Sequence, residues 1–171
     1  APLASAQGLE EVIVTAQKRA QSAQDVPVAL TAVSAETIEA MGIQEFSDVT
    51  RISPSLTLSS GNNKQQTSIS IRGIGTNVFS IGVEPSVAVI IDNVSQVQPG
   101  QALSNLVDIE RIEVLRGPQS TLFGKNASAG LVSVTTRNPS EELEGSIELV
   151  ATDDDQLRTV GTLSGPVSDG F

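Results

Sequence analysis

The sequence predicts an α+β domain in which a small mixed β-sheet is flanked by short helices and is followed by a separate β-hairpin. Three observations support this prediction. Short runs with apolar residues at every second position recur along the middle of the chain, as in strands that bury one face. Helical spacing is confined to short stretches that end at glycine or proline. After Pro139, two longer alternating runs flank a polar turn.

The first predicted elements are one strand and two short helices. Residues 27–33 are predicted to form the strand, and Ser34 is a favourable N-cap for a helix that ends at Gly42. A second helix is predicted over residues 45–52, because its apolar residues share one face and Pro54 prevents the helix from continuing.

The remaining strands of the sheet come from the centre of the chain. Isoleucines alternate with serines in the first of them, and three β-branched residues share one face of the second. In the third, Ile112 and Val114 alternate with charged residues, which indicates a strand that is buried on one face. These strands are predicted at residues 67–72, 86–92, 111–116 and 131–136, with a short helix at 102–107.

Composition mainly excludes classes of function. The 171 residues include no cysteine and no histidine, and the formal net charge is −10. The absence of cysteine excludes disulfides and thiolate metal sites, and the absence of histidine removes the commonest general base and metal ligand. A net negative charge argues against nucleic acid as a partner. We therefore expect no enzyme activity, no cofactor, no metal site and no nucleic-acid partner.

The stretch from Asp108 to Pro139 is the most informative part of the chain. A strand ends at Gly117-Pro118, where proline lacks an N–H to donate, and a polar segment of small residues then leads into another strand. This order of strand, Arg-Gly-Pro turn, Leu-Phe-Gly, Asn-Ala and strand resembles the end of the plug domain of TonB-dependent outer-membrane receptors. The fold that the resemblance implies is the plug fold of these receptors.

Three further segments resemble the same family in the expected order. Residues 10–16 are similar to the TonB box, residues 68–75 to the second plug motif, and residues 83–94 to the third. The chain has Ile-Ile-Asp-Asn at 90–93, where the family usually has Tyr-Val-Asp-Gly. Because asparagine tolerates the left-handed region, Asn93 is expected to make the same turn.

The resemblance implies a division of the chain into four parts. Residues 1–6 are either the remnant of a secretory signal peptide or an ordinary Ala- and Ser-rich terminus, and residues 7–24 form a flexible arm that we call the arm throughout. Residues 25–138 form the plug. Residues 139–171, with alternating runs at 145–152 and 157–163, would supply the first two strands of a truncated transmembrane β-barrel or an ordinary hairpin.

The resemblance also assigns the arm its partner. The TonB box, by which TonB engages such receptors, corresponds to Glu10, Glu11, Val12, Ile13, Val14, Thr15 and Ala16. Its apolar centre has strand character and nothing local to pair with, which suits a peptide that adds as a strand to a partner's sheet. The alternative is that residues 12–14 form an edge strand of the plug.

Two arginines are the expected lock between plug and barrel. Arg72 and Arg116 each end a predicted strand just before glycine, and in the family the arginines of these motifs pair with glutamates on the inner barrel wall. The alternative is that either arginine pairs within the plug, for example with Glu113 or Asp92.

The other candidate residues have backbone or ligand roles. Those expected to meet the demands of turn geometry are Gly73, Gly75, Gly117, Pro118, Gly124 and Gly130. Substrate contacts in the family come partly from apical plug loops, which here contain Asn62, Asn63, Lys64, Asn77 and Phe79.

The resemblance implies the plug of an active transporter in the outer membrane of a Gram-negative bacterium. Such a plug gates uptake of a scarce nutrient and is displaced when TonB, working with ExbB and ExbD, pulls the arm. The cargo in the family is commonly an iron–siderophore complex, with vitamin B12, haem, nickel complexes and carbohydrates as alternatives. A stand-alone periplasmic interaction or signalling domain that binds a TonB-like partner is the competing hypothesis.

Overall fold

The computed structural model describes residues 13–15, 18–43, 45–59, 67–77, 82–97, 106–151 and 157–166. The chain divides into two compact units, residues 1–136 and 137–171. Among the described residues, no helix is both long enough and apolar enough to cross a membrane.

The described elements are mostly strands. In chain order the strands are β1 (Ile13–Val14), β2 (Gln21–Ser22), β3 (Ala29–Ser34), β4 (Leu56–Ser59), β5 (Ser68–Ile71), β6 (Ile74–Gly75), β7 (Val87–Ile91), β8 (Val94–Gln96), β9 (Ile109–Arg116), β10 (Gly130–Thr136), β11 (Glu144–Ala151) and β12 (Leu157–Ser164). The helices are α1 (Ala35–Ala40), a 3₁₀ helix (Phe46–Arg51) and α2 (Ser120–Phe123).

The central sheet of the first unit has five strands in the order β3-β9-β10-β7-β8. The β10–β7 pair is parallel, and the other neighbours are antiparallel. A second sheet in this unit consists of β4, β5 and β6. The predicted small mixed sheet with short helices is therefore confirmed.

One face of the central sheet carries the main core. Val87, Val89 and Ile91 share this face, as the alternation predicted, and they pack with Ile112 and Val114 of β9. The second sheet contributes Leu56, Ile69 and Ile71 to the same cluster, and α1 and the 3₁₀ helix contribute Ile38 and Val49. Burial of these apolar side chains drives the association of the two sheets.

Gly130 lies where the two sheets meet. A Cβ atom at this position would lie 2.5 Å from Cδ1 of Ile71 and 2.5 Å from the carbonyl oxygen of Leu115. No carbon atom fits at such distances, so the close approach of β5 to the end of β9 requires glycine here.

The opposite face of the central sheet is also covered. Leu115, Leu131, Ala88 and Ile90 form a second cluster on it, together with Val14 of the arm. Strand β9 is therefore buried on both faces, and the expectation that it buries only one is wrong. The physical reason is that the arm packs over the face that a half-buried strand would present to water.

The helices differ from prediction in detail. Ser34 occupies the N-cap position of α1, but its hydroxyl makes no capping hydrogen bond to the backbone. The second helix is 3₁₀ and not α, and it begins with a capping box in which the Asp48 carboxylate accepts from the Glu45 N–H at 3.0 Å. Most of the helix predicted at 102–107 lies outside the described residues.

The second unit contains an antiparallel hairpin of β11 and β12, in which Glu144 pairs with Ser164 and Ala151 with Leu157. One face is apolar and exposed, and it carries Ile147, Leu149, Leu157 and Leu163. On the other face the hydroxyls of Ser146 and Thr162 lie 2.6 Å apart. The eight-residue strands thus have one mainly apolar face and one mixed face, on which Val150 and Val160 accompany the polar residues.

Candidate functional site

The described part of the arm folds back on itself as a small hairpin. In it, Ile13 pairs with Ser22 and Val14 with Gln21 in an antiparallel ladder. The expectation that the apolar centre of the arm has nothing local to pair with is therefore wrong. The sequence gives little warning of this pairing, because Gln21 and Ser22 have no strand-like pattern.

Val14 anchors this hairpin to the plug. Its side chain is completely buried, in the cluster that covers the second face of the central sheet. Ile13, which points the other way along the strand, is 56% exposed. Full burial of a valine contributes about 1.5 kcal/mol or more to such an attachment.

Polar contacts hold the next residue of the arm. The Thr15 N–H donates to Oε1 of Glu113 at 2.8 Å, across 98 positions of sequence. Arg111 donates from Nε to the same oxygen at 2.9 Å and from Nη2 to the Thr15 hydroxyl at 3.2 Å. The three residues form one network that joins the arm to β9.

Glu113 is an unusual member of this network because it is wholly buried. Every hydrogen bond that it accepts within the described residues goes to Oε1, and Oε2 is buried without a partner there. Arg111 supplies the compensating charge and also pairs with Glu110. A buried carboxylate is tolerated when such a cation neutralises it, although the unpaired oxygen retains a desolvation cost.

A further contact fixes the turn of the arm hairpin. The ammonium of Lys18 lies 5.5 Å from the centre of the Phe123 ring, within range for a cation–π interaction. The Lys18 N–H also donates to the Thr15 carbonyl at 2.7 Å. Phe123 belongs to α2, directly after the Arg-Gly-Pro motif, so the arm contacts the part of the chain that identified the family.

The candidate TonB box is only partly described. Ile13, Val14 and Thr15 belong to the arm hairpin, and the other four residues of the box lie outside the described residues. The role of residues 10–16 in binding TonB remains a prediction. The alternative of an edge strand matches the observed pairing, but β1 pairs with β2 and does not join either sheet of the plug.

Arg72 lies in a turn and does not end a strand. It forms the β5–β6 turn with Gly73, and both residues have positive φ, of 53° and 76°. A two-residue hairpin turn with left-handed residues at both positions suits the twist of the flanking strands. The Arg72 side chain is exposed, and no carboxylate of the described residues forms an ion pair with it.

Arg116 does end strand β9, and it bonds within the plug. Its guanidinium donates to the Thr31 hydroxyl at 2.6 Å and to the Leu30 carbonyl at 3.2 Å. Neither partner is a carboxylate, so Arg116 bonds within the plug but does not pair with Glu113 or Asp92. The guanidinium has further N–H groups that these two hydrogen bonds do not use.

The turn between β7 and β8 repeats the geometry of the β5–β6 turn. Asp92 and Asn93 have φ of 46° and 67°, and Ile91 pairs with Val94 across them. The Asp92 carboxylate accepts from the N–H and the hydroxyl of Thr136, each at 2.8 Å. These two hydrogen bonds attach the turn to the end of β10.

The other candidate residues are positioned as follows. Gly117 and Gly124 have positive φ, and a Cβ on Gly75 would lie 2.5 Å from Cβ of Ser70. Pro118 is exposed between β9 and α2. Asn77 is exposed, whereas Asn62, Asn63, Lys64 and Phe79 lie outside the described residues. The substrate role of these loops therefore remains a prediction.

The model of the TonB-dependent Receptor Plug Domain family matches residues 22–131. The chain belongs to this family. Its two sheets, the arginine-bearing turn and the Arg-Gly-Pro motif are therefore those of a plug, as the sequence predicted.

Similar proteins agree with this assignment. The chain is 32% identical over 168 residues to the pesticin receptor of Yersinia pestis, covering 98% of the chain and 24% of that receptor. It is 27% identical over 157 residues to the ferripyoverdine receptor of Pseudomonas aeruginosa, covering 92% of the chain and 19% of that receptor.

The fold matches as well as the sequence. The crystal structure of the ferric yersiniabactin uptake receptor of Yersinia pestis superposes with a TM-score of 0.78 at 32% identity, covering 88% of this chain and 23% of that structure. The chain thus spans about a quarter or less of the length of these relatives.

Proposed function

We propose that this plug gates a TonB-dependent transporter in the outer membrane of a Gram-negative bacterium. It closes the pore of a β-barrel and contributes to the ligand site on its outer face. TonB, energised with ExbB and ExbD, pulls the periplasmic arm and displaces the plug. The observation that supports this proposal most strongly is the family match over residues 22–131, whose description names dependence on TonB.

The proposed cargo is a ferric siderophore. Ferric yersiniabactin and ferripyoverdine are the ligands named for two receptors whose plugs resemble this one. The chemistry proposed for the chain is transport without catalysis. The competing hypothesis of a stand-alone periplasmic signalling domain receives no support from the named relatives, which are receptors.

We also propose that the hairpin of β11 and β12 supplies the first two strands of the barrel. Along each strand of such a barrel, apolar residues that face the lipid alternate with polar residues that face the lumen. The exposed apolar face with Ile147 and Leu149 fits lipid, and the more polar face, with Ser146, Glu148, Arg158 and Thr162, fits the lumen.

The role of Arg72 and Arg116 as the plug–barrel lock is part of the same proposal. Arg72 holds an exposed guanidinium on a tight turn, with no carboxylate partner in the described part of the plug. An arginine fork matches carboxylates in bidentate geometry, so a barrel wall with glutamates is a suitable partner.

Binding of TonB tests this proposal at its first step. The C-terminal domain of TonB should bind the chain in calorimetric titrations, and Ile13→Pro should weaken binding because proline removes an N–H and fixes φ in the middle of the added strand. Ile13→Val is the matched control, since it keeps the N–H and the β-branched shape. Equal affinities for the proline and valine variants would contradict strand addition at residues 10–16.

A further inference from the structure

The described backbone of the TonB box is already paired, partly within the arm and partly with the plug. Ile13 and Val14 pair with β2 along one edge. The Thr15 N–H is held by Glu113 and the Thr15 carbonyl by the Lys18 N–H. A partner that adds as a strand needs a row of such groups on one edge and space for the side chains on both faces.

We propose that Glu113, positioned by Arg111, competes with TonB for the arm. The carboxylate of Glu113 holds the same Thr15 N–H that an added strand would use, so the docked arm and the TonB-bound arm exclude each other. This inference rests on the proposed function, because it takes TonB as the partner that adds a strand to residues 10–16.

Arg111 makes this competition possible by stabilising a buried carboxylate. It contacts Glu113 through Nε and the Thr15 hydroxyl through Nη2, while Nη1 pairs with Glu110. The side chain of Arg111 is itself only 16% exposed. Its fixed fork therefore orients the Glu113 carboxylate towards the arm and neutralises its charge.

The unpaired oxygen of Glu113 limits how tightly the arm is held. With the arm in place, Oε2 is buried and has no partner among the described residues. A buried acceptor without a donor carries a desolvation cost, and that cost is relieved when the arm leaves and water reaches the carboxylate. The contact that holds Thr15 thus also contains a term that favours release.

Val14 makes the competition steric as well as polar. Its side chain is fully enclosed against Leu115 and Leu131, so a strand that packs on this face of the arm must first extract it. The plug residues that contact the arm, Glu113, Arg111, Leu115 and Leu131, lie outside residues 10–16. Docking can therefore be altered without changing the segment that TonB binds.

The experiment compares TonB binding to the arm alone and to the whole chain. The C-terminal domain of TonB is titrated into a synthetic peptide of residues 7–24 and into the full 171-residue chain. If only the undocked arm binds, the apparent affinity of the chain is reduced by the fraction of arms that are undocked. We expect the chain to bind about tenfold more weakly than the peptide, as for the loss of one charge-assisted hydrogen bond.

Variants of Glu113 identify the cause. Glu113→Leu suits the apolar face beside Leu115 and should raise the affinity of the chain towards that of the peptide, with the part of the difference that remains due to the buried Val14. Glu113→Gln keeps the shape, weakens the bond to Thr15 and should give an intermediate affinity. Glu110→Gln is the matched control, because it removes a carboxylate from the same arginine without touching the arm, and it should bind like the wild-type chain.

The outcomes distinguish a failure of this inference from a failure of the proposed function. A peptide that fails to bind TonB contradicts the proposed function. A peptide that binds while the wild-type and Glu113→Gln chains bind equally overturns the competition. Hydrogen exchange at the Thr15 amide provides a second readout for the isosteric variant, in case Glu113→Leu does not fold. It should be slow in the wild-type chain and faster in Glu113→Gln, and equal rates would also overturn the inference.

Discussion

Replacement of Arg72 by asparagine should have opposite effects in the isolated chain and in a complete receptor. Arg72 has a φ of 53° in the β5–β6 turn. The left-handed conformation costs most residues roughly 1–2 kcal/mol, whereas asparagine tolerates it through local hydrogen bonds. Asparagine followed by glycine is also the preferred pair in this type of turn. The isolated chain should therefore gain about 1 kcal/mol, which corresponds to a rise in Tm of about 2–4 °C.

The receptor should respond in the other direction if Arg72 locks the plug. Removal of one partner from a buried ion pair typically costs about 3–5 kcal/mol, well above the relief of turn strain. Plug release in denaturant and leakage of small solutes through the pore should both increase. Arg72→Ala is the control, since it also lacks the guanidinium but keeps the strain of a side chain at positive φ.

Thermal unfolding of the isolated chain and plug release from the receptor together test this reasoning. Stabilisation of the chain and loosening of the receptor are the expected pair of results. Stabilisation in both would contradict the lock, because the arginine would then contribute only turn strain. Destabilisation of the isolated chain by Arg72→Asn would contradict the account of the turn.

The remaining predictions concern the plug by itself. Gly130→Ala should lower the free energy of unfolding in urea by about 1–3 kcal/mol, because the added Cβ overpacks the junction between the sheets. Gly82→Ala is the control and should be close to neutral, since no described atom lies within 4 Å of the Cβ position. Equal unfolding midpoints for the two variants would refute the close approach at Gly130. Asp92→Ala should lower the free energy of unfolding by about 1–2 kcal/mol, because the bonds to Thr136 are lost, and Asp92→Asn should lower it less. An unchanged unfolding midpoint for Asp92→Ala would contradict a stabilising role for these bonds. Amides of β11 and β12 should exchange faster than those of β10, since a two-stranded hairpin is marginally stable in water; similar protection would contradict this.

The local sequence pattern was sufficient to predict the strands in which apolar residues alternate strongly. Val87 and Val89 of β7 and Ile112 and Val114 of β9 lie on the face that their spacing indicated. The short strands β6 and β8 were not predicted, because strands of two and three residues are too short to show an alternating pattern, although the left-handed turn at Asn93 was expected. Nothing in the sequence near Arg72 identifies it as a left-handed residue.

The docked arm could not have been predicted from the sequence near it. The surface that buries Val14 includes Ala88, Leu115 and Leu131, which lie far away in the sequence and are brought to Val14 only by the fold. Glu113 has the alternation of a solvent-facing residue, but it is wholly buried, and Thr15 of the arm binds its carboxylate. One signal was available: Leu115 lies on the same face of β9 as Glu113, which indicated that this face was not wholly polar.

Uptake of a radiolabelled ferric siderophore by cells whose receptor carries this plug tests the central claim most directly. Ferric yersiniabactin and ferripyoverdine are the first ligands to try, because related receptors are named for them. Cells with TonB should accumulate one label, and cells that lack TonB, or whose receptor lacks residues 10–16, should bind it at the surface without accumulating it. Equal accumulation with and without TonB would contradict the proposal that this plug is a TonB-operated gate.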